Sequence, residues 1–598
     1  MASFLRESLP PKCDYITYLT IIESHLSPEI LPTLNEILQD PDLTQNIGWD
    51  LIHLLLPIPN SVQCLKTIAK YGNPREVILK VTEALQILKP HSEQENVEKN
   101  MDAEPTDNQK FCLLIDLLSI LHPRIKTKYP SRFLSTTLKS ILATYYPSEP
   151  ATIAIISFIL AIFEKNNFSS LEKFSSIRLQ DCDKKVKALA PDPEAQDEDP
   201  QEEKIQIKLV QSFVTHVIEK YISENPLDWA PRLLEHLHPK KVIERRSIEK
   251  AFREDPVLHA REKIVGQLMD ISQDFGLMQH DTLFAVFVKE NPLVEQEFQE
   301  SDDFLDNLPT SSAGSLLIAA NSIFASIKLK SQLPLPQLTI FPDHVRLVKI
   351  FIEAQGSDLI AGKLLGVIDA ILLLGLWLES ENKFVSGPLD DEEFLKYLQW
   401  LSYLSTITPS SSLRSAAHIL SSSILHAHPI DRLRLTFISD TLENCPYESL
   451  KASAVSWLKE ELIIASERNT NNVFTSTTAL VATQPFLFPA TLGMLDASDK
   501  ELIDEVNNSF PFHMAVLNFL VLLCGNKYHH ILPTTMLNVA EEIYVRPLKT
   551  VCKKLLDMRF NNPKLESEIT KMELQLLEER LNLCLTELAR ANRLEDKN

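Results

Sequence analysis

Glycine occurs only 12 times in the 598 residues, against roughly 7% in an average protein. That scarcity excludes Gly-rich phosphate loops, collagen and all-β folds built on tight glycine turns, each of which needs positive φ angles that other residues adopt only at a cost. Positive charge is also short: 59 Lys and Arg stand against 81 Asp and Glu, a formal charge of -22. Such a chain repels polyphosphate, because nucleic-acid affinity needs clustered cations that displace counterions, so no direct nucleic-acid binding is expected. The same field attracts a basic protein partner, or serves solubility alone.

Paired cysteines are absent. Cys13, Cys64, Cys112, Cys182, Cys445, Cys524, Cys552 and Cys584 lie singly and never as CxxC, which excludes a visible zinc module or thioredoxin-like motif. Long apolar runs are missing as well. Ala151 to Phe163 is the longest uncharged one, and Leu364 to Leu378 contains Asp369, whereas a membrane-spanning helix needs ~20 residues. No membrane association is expected. The opening Met1-Ala2-Ser3-Phe4-Leu5-Arg6-Glu7-Ser8 leads into Pro10-Pro11-Lys12 instead of an apolar core, so the reading is of a cytoplasmic protein with reduced thiols, and a nuclear address is also open.

Catalytic motifs are missing too. There is no GxGxxG, GxSxG, HExxH or kinase set. The nearest approach to a phosphate loop, Gly356-Ser357-Asp358-Leu359-Ile360-Ala361-Gly362-Lys363-Leu364, has one residue too many between its glycines and Leu364 in place of the magnesium-binding hydroxyl. His426 and His428, His529 and His530, and the earlier His418 lack metal-ligand spacing, and they read as helix-end histidines near exposed carbonyls. Asp390-Asp391-Glu392-Glu393 reads as a helix first turn. No catalytic residue, cofactor or metal is expected, and the chain is read as non-enzymatic.

What is present is helical period. Apolar residues recur at three and four positions, as in Leu450, Ala454, Trp457, Leu458 and Leu462, and alternating strand patterns are almost absent. Capping residues followed by proline mark helix starts at Ser27-Pro28, Asn73-Pro74, Asn225-Pro226, Asp255-Pro256 and Asn562-Pro563, because the missing proline N–H costs nothing at the first helical position. In Asn73-Pro74-Arg75-Glu76 the glutamate is also placed to complete a capping box. Roughly two dozen helical segments with short loops predict an all-α fold, an α-solenoid of HEAT-like antiparallel helix pairs, continuous over 1–598. Three successive helices near Ser412, Pro429 and Pro446 form its clearest unit.

Polar stretches interrupt the pattern at 89–108, 189–204 and 295–312. The second crowds Asp192, Glu194, Asp197, Glu198, Asp199, Glu202 and Glu203 and reads as a disordered acidic loop, either a solvated spacer or a dock for a basic partner. The segment 561–594 reads as a C-terminal amphipathic helix with Ile569, Met572, Leu576, Leu577, Leu581, Cys584, Leu585 and Leu588 on its apolar side, which caps the stack or recruits a partner helix. Cys445, just before Pro446, is either an ordinary loop cysteine or a reactive thiol near a helix N-terminus.

Two stretches carry a resemblance. The first is Ile47-Gly48-Trp49-Asp50-Leu51, with Tyr71-Gly72-Asn73-Pro74-Arg75-Glu76-Val77; the second runs from His428-Pro429 through Asp440, Glu443, Cys445-Pro446 and Lys451 to Trp457-Leu458. Together they resemble the Yap-binding protein/glomulin family, its fungal members in particular. The resemblance implies a non-enzymatic helical scaffold. Fungal relatives bind a Yap-type bZIP transcription factor and promote its peroxide-dependent oxidation and nuclear accumulation, with a thiol peroxidase as the further partner expected here, and some associate with the kinetochore. Animal glomulin and its plant counterpart instead mask the RING subunit of cullin ubiquitin ligases. The signature residues themselves have structural readings: Asn73 caps, Pro74 starts a helix, and Trp49 and Trp457 suit a core.

Overall fold

The computed structural model describes residues 15–89, 104–165, 192–196, 199, 201–278, 309–329, 337–353, 364–387, 389–468, 472–491, 493–494, 498–561 and 570–595. These fall into two compact units, Met1–Gln337 with Lys363–Leu374 and Leu338–Gly362 with Gly375–Asn598. Among the described residues there are α-helices and short 3-10 turns, no strand, and one isolated bridge between Phe341 and Val385. The all-α expectation holds.

The first unit contains α1 (Tyr15–His25), α2 (Leu31–Ile37), α3 (Pro41–Leu55), α4 (Val62–Tyr71), α5 (Pro74–Ile87), α6 (Asp107–Leu121), α7 (Pro130–Thr144), α8 (Glu149–Lys165), α9 (Glu202–Glu224), α10 (Trp229–Leu237), α11 (Ile248–Glu254), α12 (Pro256–Asp274) and α13 (Ser312–Leu329). The second begins with α14 (Asp343–Phe351); α15 (Leu365–Ser380) belongs to the first unit up to Leu374 and to the second from Gly375. There follow α16 (Asp391–Ile407), α17 (Ser411–Ala427), α18 (Asp431–Asn444), α19 (Glu448–Arg468), α20 (Thr477–Leu487), α21 (Asp499–Leu523), α22 (Met536–Val539), α23 (Arg546–Asn561) and α24 (Lys571–Glu595). A π-helical turn, Ala540–Val545, joins α22 to α23.

Helices pack on their next-but-one neighbours. In the first unit α3 lies on α5, α4 on α6, α5 on α7, α6 on α8 and α7 on α9; in the second α17 lies on α19, α18 on α20 and α19 on α21. Stacked antiparallel pairs produce this pattern, since each pair buries its apolar stripe only against the next pair. Burial follows the helical period: Leu413, Ala416, Ala417, Leu420, Ile424 and Leu425 of α17 are all inside. Close packing explains where glycine is kept. A Cβ at Gly314 of α13 would collide with the Thr215 carbonyl of α9, and one at Gly366 of α15 would sit 2.7 Å from the Ile222 carbonyl.

The caps are mixed against expectation. Asn73 and Asp255 accept from the first-turn amides of α5 and α12, but Asn73 acts on the Arg75 N–H and α5 has no capping box; boxes form at Thr106/Gln109 and Ser498/Glu501 instead. Asn225-Pro226 starts no helix. Of the polar stretches, 90–103 and 295–308 lie outside the described residues, while α6 and α13 begin at Asp107 and Ser312.

α24 packs on α21 and α23 through Leu574, Leu577, Leu581, Cys584, Leu588 and Ala591. Met572 and Leu576, expected on that stripe, face solvent, and Ile569 lies outside the described residues. α21 is long and apolar enough by composition to cross a membrane; its apolar face, with Leu502, Val506, Phe512 and Val516, is buried, and it packs on α19 and α24.

Candidate functional site

The Asn73–Glu76 signature and the acidic run, far apart in sequence, meet in the first unit. α4 ends at Gly72, whose N–H donates to Ile68 O at 2.8 Å. Asn73 turns the chain and Arg75 leaves the first turn of α5. Its Nε donates to Asp192 Oδ2 at 3.2 Å and its Nη1 to Glu194 Oε2 at 2.8 Å, while Nη2 donates to the carbonyls of Lys126 and Glu194. Asp192 also accepts from the amides of Lys126 and Glu194, each at 3.0 Å. The amides of Gln196 and Asp199 donate to the carbonyls of Lys126 and Lys128, so 192–196 and Asp199 are laced along that segment. Arg124 beneath it donates to Ala69 O and Gly72 O. Burial pushes the Arg124 guanidinium down to about 10, against the opposing pull of Asp192.

Of the stretch 189–204, expected to be a disordered acidic loop, the described residues 192–196, 199 and 201–204 are instead ordered against the first unit, and 189–191, 197–198 and 200 lie outside the described residues. Asp192 and Glu202 are 5% and 4% exposed; Glu202 opens α9 and accepts the Ser131 N–H at 2.9 Å, with Glu203 half-buried behind it. A carboxylate leaves water when a guanidinium and several amides replace its hydration, and here they do. Glu194 remains exposed, while Asp197 and Glu198 lie outside the described residues.

Cys445 occupies the turn between α18 and α19, where its Sγ accepts from the Tyr447 N–H at 3.4 Å. Burial pushes this thiol up from its ordinary value, and the Tyr447 bond and the Lys451 charge offset that only in part. The helix N-terminus therefore does not activate it. Cys64 and Cys524 are raised by burial to about 11, Cys552 and Cys584 to about 12, and Cys112 is raised too. Cys13 and Cys182 lie outside the described residues.

The remaining signature residues are mostly structural. Trp457 is buried between His418 and Phe437, Lys451 pairs with Glu448, and Asp440 accepts from the Asn444 amide, while Glu443 and Pro446 are exposed. Trp49 is only half-buried, with Lys80 over its ring and Asp50 beside it, and Gly48 lets α3 approach Ile68. His428 packs 4.1 Å from the Phe394 ring. His426, expected near exposed carbonyls, instead bridges Glu461 at 2.6 Å and Glu460 at 2.9 Å. Glu461 is buried and is also paired by Arg434. Burial alone would push the His426 imidazolium down, but the two carboxylates outweigh it and hold it at about 9.

One surface in the second unit combines a cleft with aromatic and charged side chains. Val345 and Val348 of α14 and Tyr397 and Trp400 of α16 line a cleft of about 290 Å³ whose rim carries Glu353, Asp390, Glu392 and Glu393 with Lys349 and Lys396. Asp390 caps α16 through the Glu393 N–H and Glu392 pairs with Lys396; Glu353 acts on the Lys396 ammonium from farther away, and Glu393 is exposed. Tyr397 is fixed from below by His344 at 2.8 Å. From the cleft a row of aromatics runs outward. Trp400 meets Tyr403 edge-on at 5.9 Å, and Tyr403 meets Tyr447 at 6.3 Å, which brings the row to the turn of Cys445.

Half-exposed aromatics such as Trp400 and Tyr403, near exposed carboxylates, can take cations and apolar side chains together, by cation–π contact and charge-assisted hydrogen bonds. Sequence reasoning assigned Asp390–Glu393 to a helix start and passed over the row, although Tyr397, Trp400 and Tyr403 stand three apart on one helix. Among the described residues no group of His, Cys, Asp and Glu could hold a metal.

The model of a family described as YAP/Alf4/glomulin matches residues 3–580. A UPF0649 protein of Schizosaccharomyces pombe is 32% identical over 149 residues, a match covering 22% of this chain and 24% of that protein. The chain thus spans about a quarter of the length of that relative.

Proposed function

The chain belongs to the YAP/Alf4/glomulin family, and from that premise we propose that it is a non-enzymatic adaptor of the oxidative-stress response, one that holds a Yap-type bZIP factor and assists its peroxide-dependent oxidation and nuclear accumulation. Family and all-helical fold are together consistent with a protein-binding scaffold. The observation that carries the finer reading is the aromatic row beside the carboxylate-rimmed cleft. The basic region of a bZIP factor is a helix of closely spaced Arg and Lys, and in this reading Trp400, Tyr403 and Tyr447 stack on such cations while the exposed carboxylates of Glu353 and Glu393 attract them. Arg stacked on an aromatic face gains about 0.5–2 kcal/mol, more as water is excluded. Asp192 and Glu202, spent inside the first unit, leave this role to the cleft.

In this reading the protein works in the cytoplasm, presents the factor to a thiol peroxidase and itself holds no cofactor. Cys445 is the described thiol nearest the row, and its raised pKa makes it a slow nucleophile at neutral pH. The test is affinity purification of the tagged full-length protein from cells with and without peroxide, with the partners identified by mass spectrometry. A bZIP factor or thiol peroxidase recovered more strongly with peroxide, and lost on Trp400→Ala, supports the reading; the same recovery from Trp400→Ala as from wild type rejects it. A second reading, carried by the family alone, is masking of a cullin-ligase RING subunit. It predicts cullin and RING subunits under both conditions and slower ubiquitin-chain formation in a purified assay.

A further inference from the structure

The first unit carries a compact basic surface in an otherwise acidic protein. Between His238 and Ser247 the sequence places Lys240, Lys241, Arg245 and Arg246 against Glu244 alone, in two 3-10 turns, Pro239–Lys241 and Glu244–Arg246. Lys240, Arg245 and Arg246 are exposed, and among the described residues none of the three has an ion pair. The acidic side chains Glu235, Glu249 and Glu262 are already bonded. Glu235 accepts from the Ser247 hydroxyl and from the amides of Ile248 and Glu249, at 2.9, 2.7 and 3.1 Å. Glu249 pairs with Arg232, Arg253 and Lys328, and Glu262 with Arg232. Arg232 is buried over the ring of Phe252. The turns thus rest on a satisfied polar base, and among the described residues Lys240, Arg245 and Arg246 meet no carboxylate.

An apolar residue sits among those cations: Ile243 is 63% exposed, and its carbonyl accepts the Arg246 N–H at 2.8 Å, which fixes it in the turn. A purely electrostatic anion site needs no such residue. Polyphosphate and anionic membranes are also disfavoured by the net charge of -22, which repels an extended polyanion wherever it runs beyond a Debye length, ~8 Å at physiological ionic strength, from the patch. We infer that the His238–Ser247 turn is a docking site for a short acidic peptide segment with interspersed apolar side chains, its carboxylates on Lys240, Arg245 and Arg246 and an apolar side chain over Ile243. Because the turn is held in place beforehand, little ordering opposes binding. This site is independent of the bZIP reading, which concerns a basic partner and the second unit.

The experiment uses the full-length protein and a fluorescein-labelled peptide that repeats Asp-Glu-Leu-Glu four times, read by fluorescence anisotropy. Saturable binding is expected, weaker at about 200 mM than at about 50 mM salt. Arg245→Glu with Arg246→Glu is expected to lower affinity at least about tenfold, since each reversal replaces attraction by repulsion, and Ile243→Ser about threefold. Arg432→Glu with Lys500→Glu, the same change of net charge on exposed residues elsewhere, is expected to leave affinity unchanged. Arg245→Gln with Arg246→Gln repeats the test should the reversal alter the circular dichroism. The inference is overturned if wild type shows no saturable binding below about 100 μM, a Kd at which binding is barely specific, if the control pair loses as much affinity, or if a short DNA duplex or phosphatidylserine vesicles bind more tightly than the peptide.

Discussion

Asp192 and Glu393 each belong to a run of carboxylates, the first expected to be an acidic loop and the second a helix first turn, and the two runs have opposite fates. Asp192 lies out of water between the guanidinium of Arg75 and backbone amides, and with Glu202 it ties together segments of the first unit. Glu393, one turn into a helix that Asp390 caps, stands exposed on the rim of a cleft, and among the described residues no ion pair holds it. The difference teaches that the density of a charge run says little about its use. What decides is whether the fold brings a buried cation to it: a buried carboxylate deprived of its partner is costly, whereas an exposed one is energetically almost silent and stays free for another molecule.

The sharpest way to break the comparison is to truncate both. Asp192→Ala should lower the unfolding free energy by about 3 kcal/mol, because the buried Arg124 and the mostly buried Arg75 lose their shared carboxylate, whereas Glu393→Ala should stay within about 0.5 kcal/mol of wild type. Urea denaturation of the two variants checks this, and equal midpoints would end the distinction. Next in size, Trp400→Ala should cut partner recovery by roughly tenfold or more, as loss of an interface anchor does, with little change in melting temperature.

A third prediction concerns a paired group of the second unit. The His426 imidazole is raised from 6.5 to about 9 by Glu460 and Glu461 against the cost of burial. Its stabilising contribution is therefore complete below pH 6.5 and is lost as pH rises through about 9, so melting temperature should fall across that window and His426→Gln should flatten the fall. Glu460, held below the usual carboxylate range by the same contact, gives up its share as pH drops below its ordinary value. Smallest of all, Cys445→Ser should leave stability unchanged. An undiminished peroxide response in that variant would remove its thiol from the mechanism.

Much of the fold was legible because helical period and local caps are local physics: the three helices expected near Ser412, Pro429 and Pro446 begin at Ser411, Asp431 and Glu448, and Asp255 caps α12 as its Asp-Pro step suggests. What failed depends on distant residues. Asn225-Pro226 starts no helix because α10 begins at Trp229, where the carboxylate of Asp369 in α15 accepts the Trp229 and Ala230 amides at 2.7 and 2.8 Å; burial lifts that carboxyl to about 7 in spite of those bonds. The acidic run was misread because its cation is Arg75, 117 residues before Asp192. The cleft was missed because the spacing of Trp400 and Tyr403 points to no partner until the fold brings Tyr447, beyond two further helices, to the row.

The most direct test of the central claim is partner capture from peroxide-treated cells by the full-length protein carrying Glu353→Lys and Glu393→Lys. The account predicts that this folded variant loses most of the factor that wild type recovers, and loses it more severely in low salt, where repulsion acts unscreened. Recovery equal to wild type would contradict it and return the acidic rim of the cleft to the status of a solvated helix start.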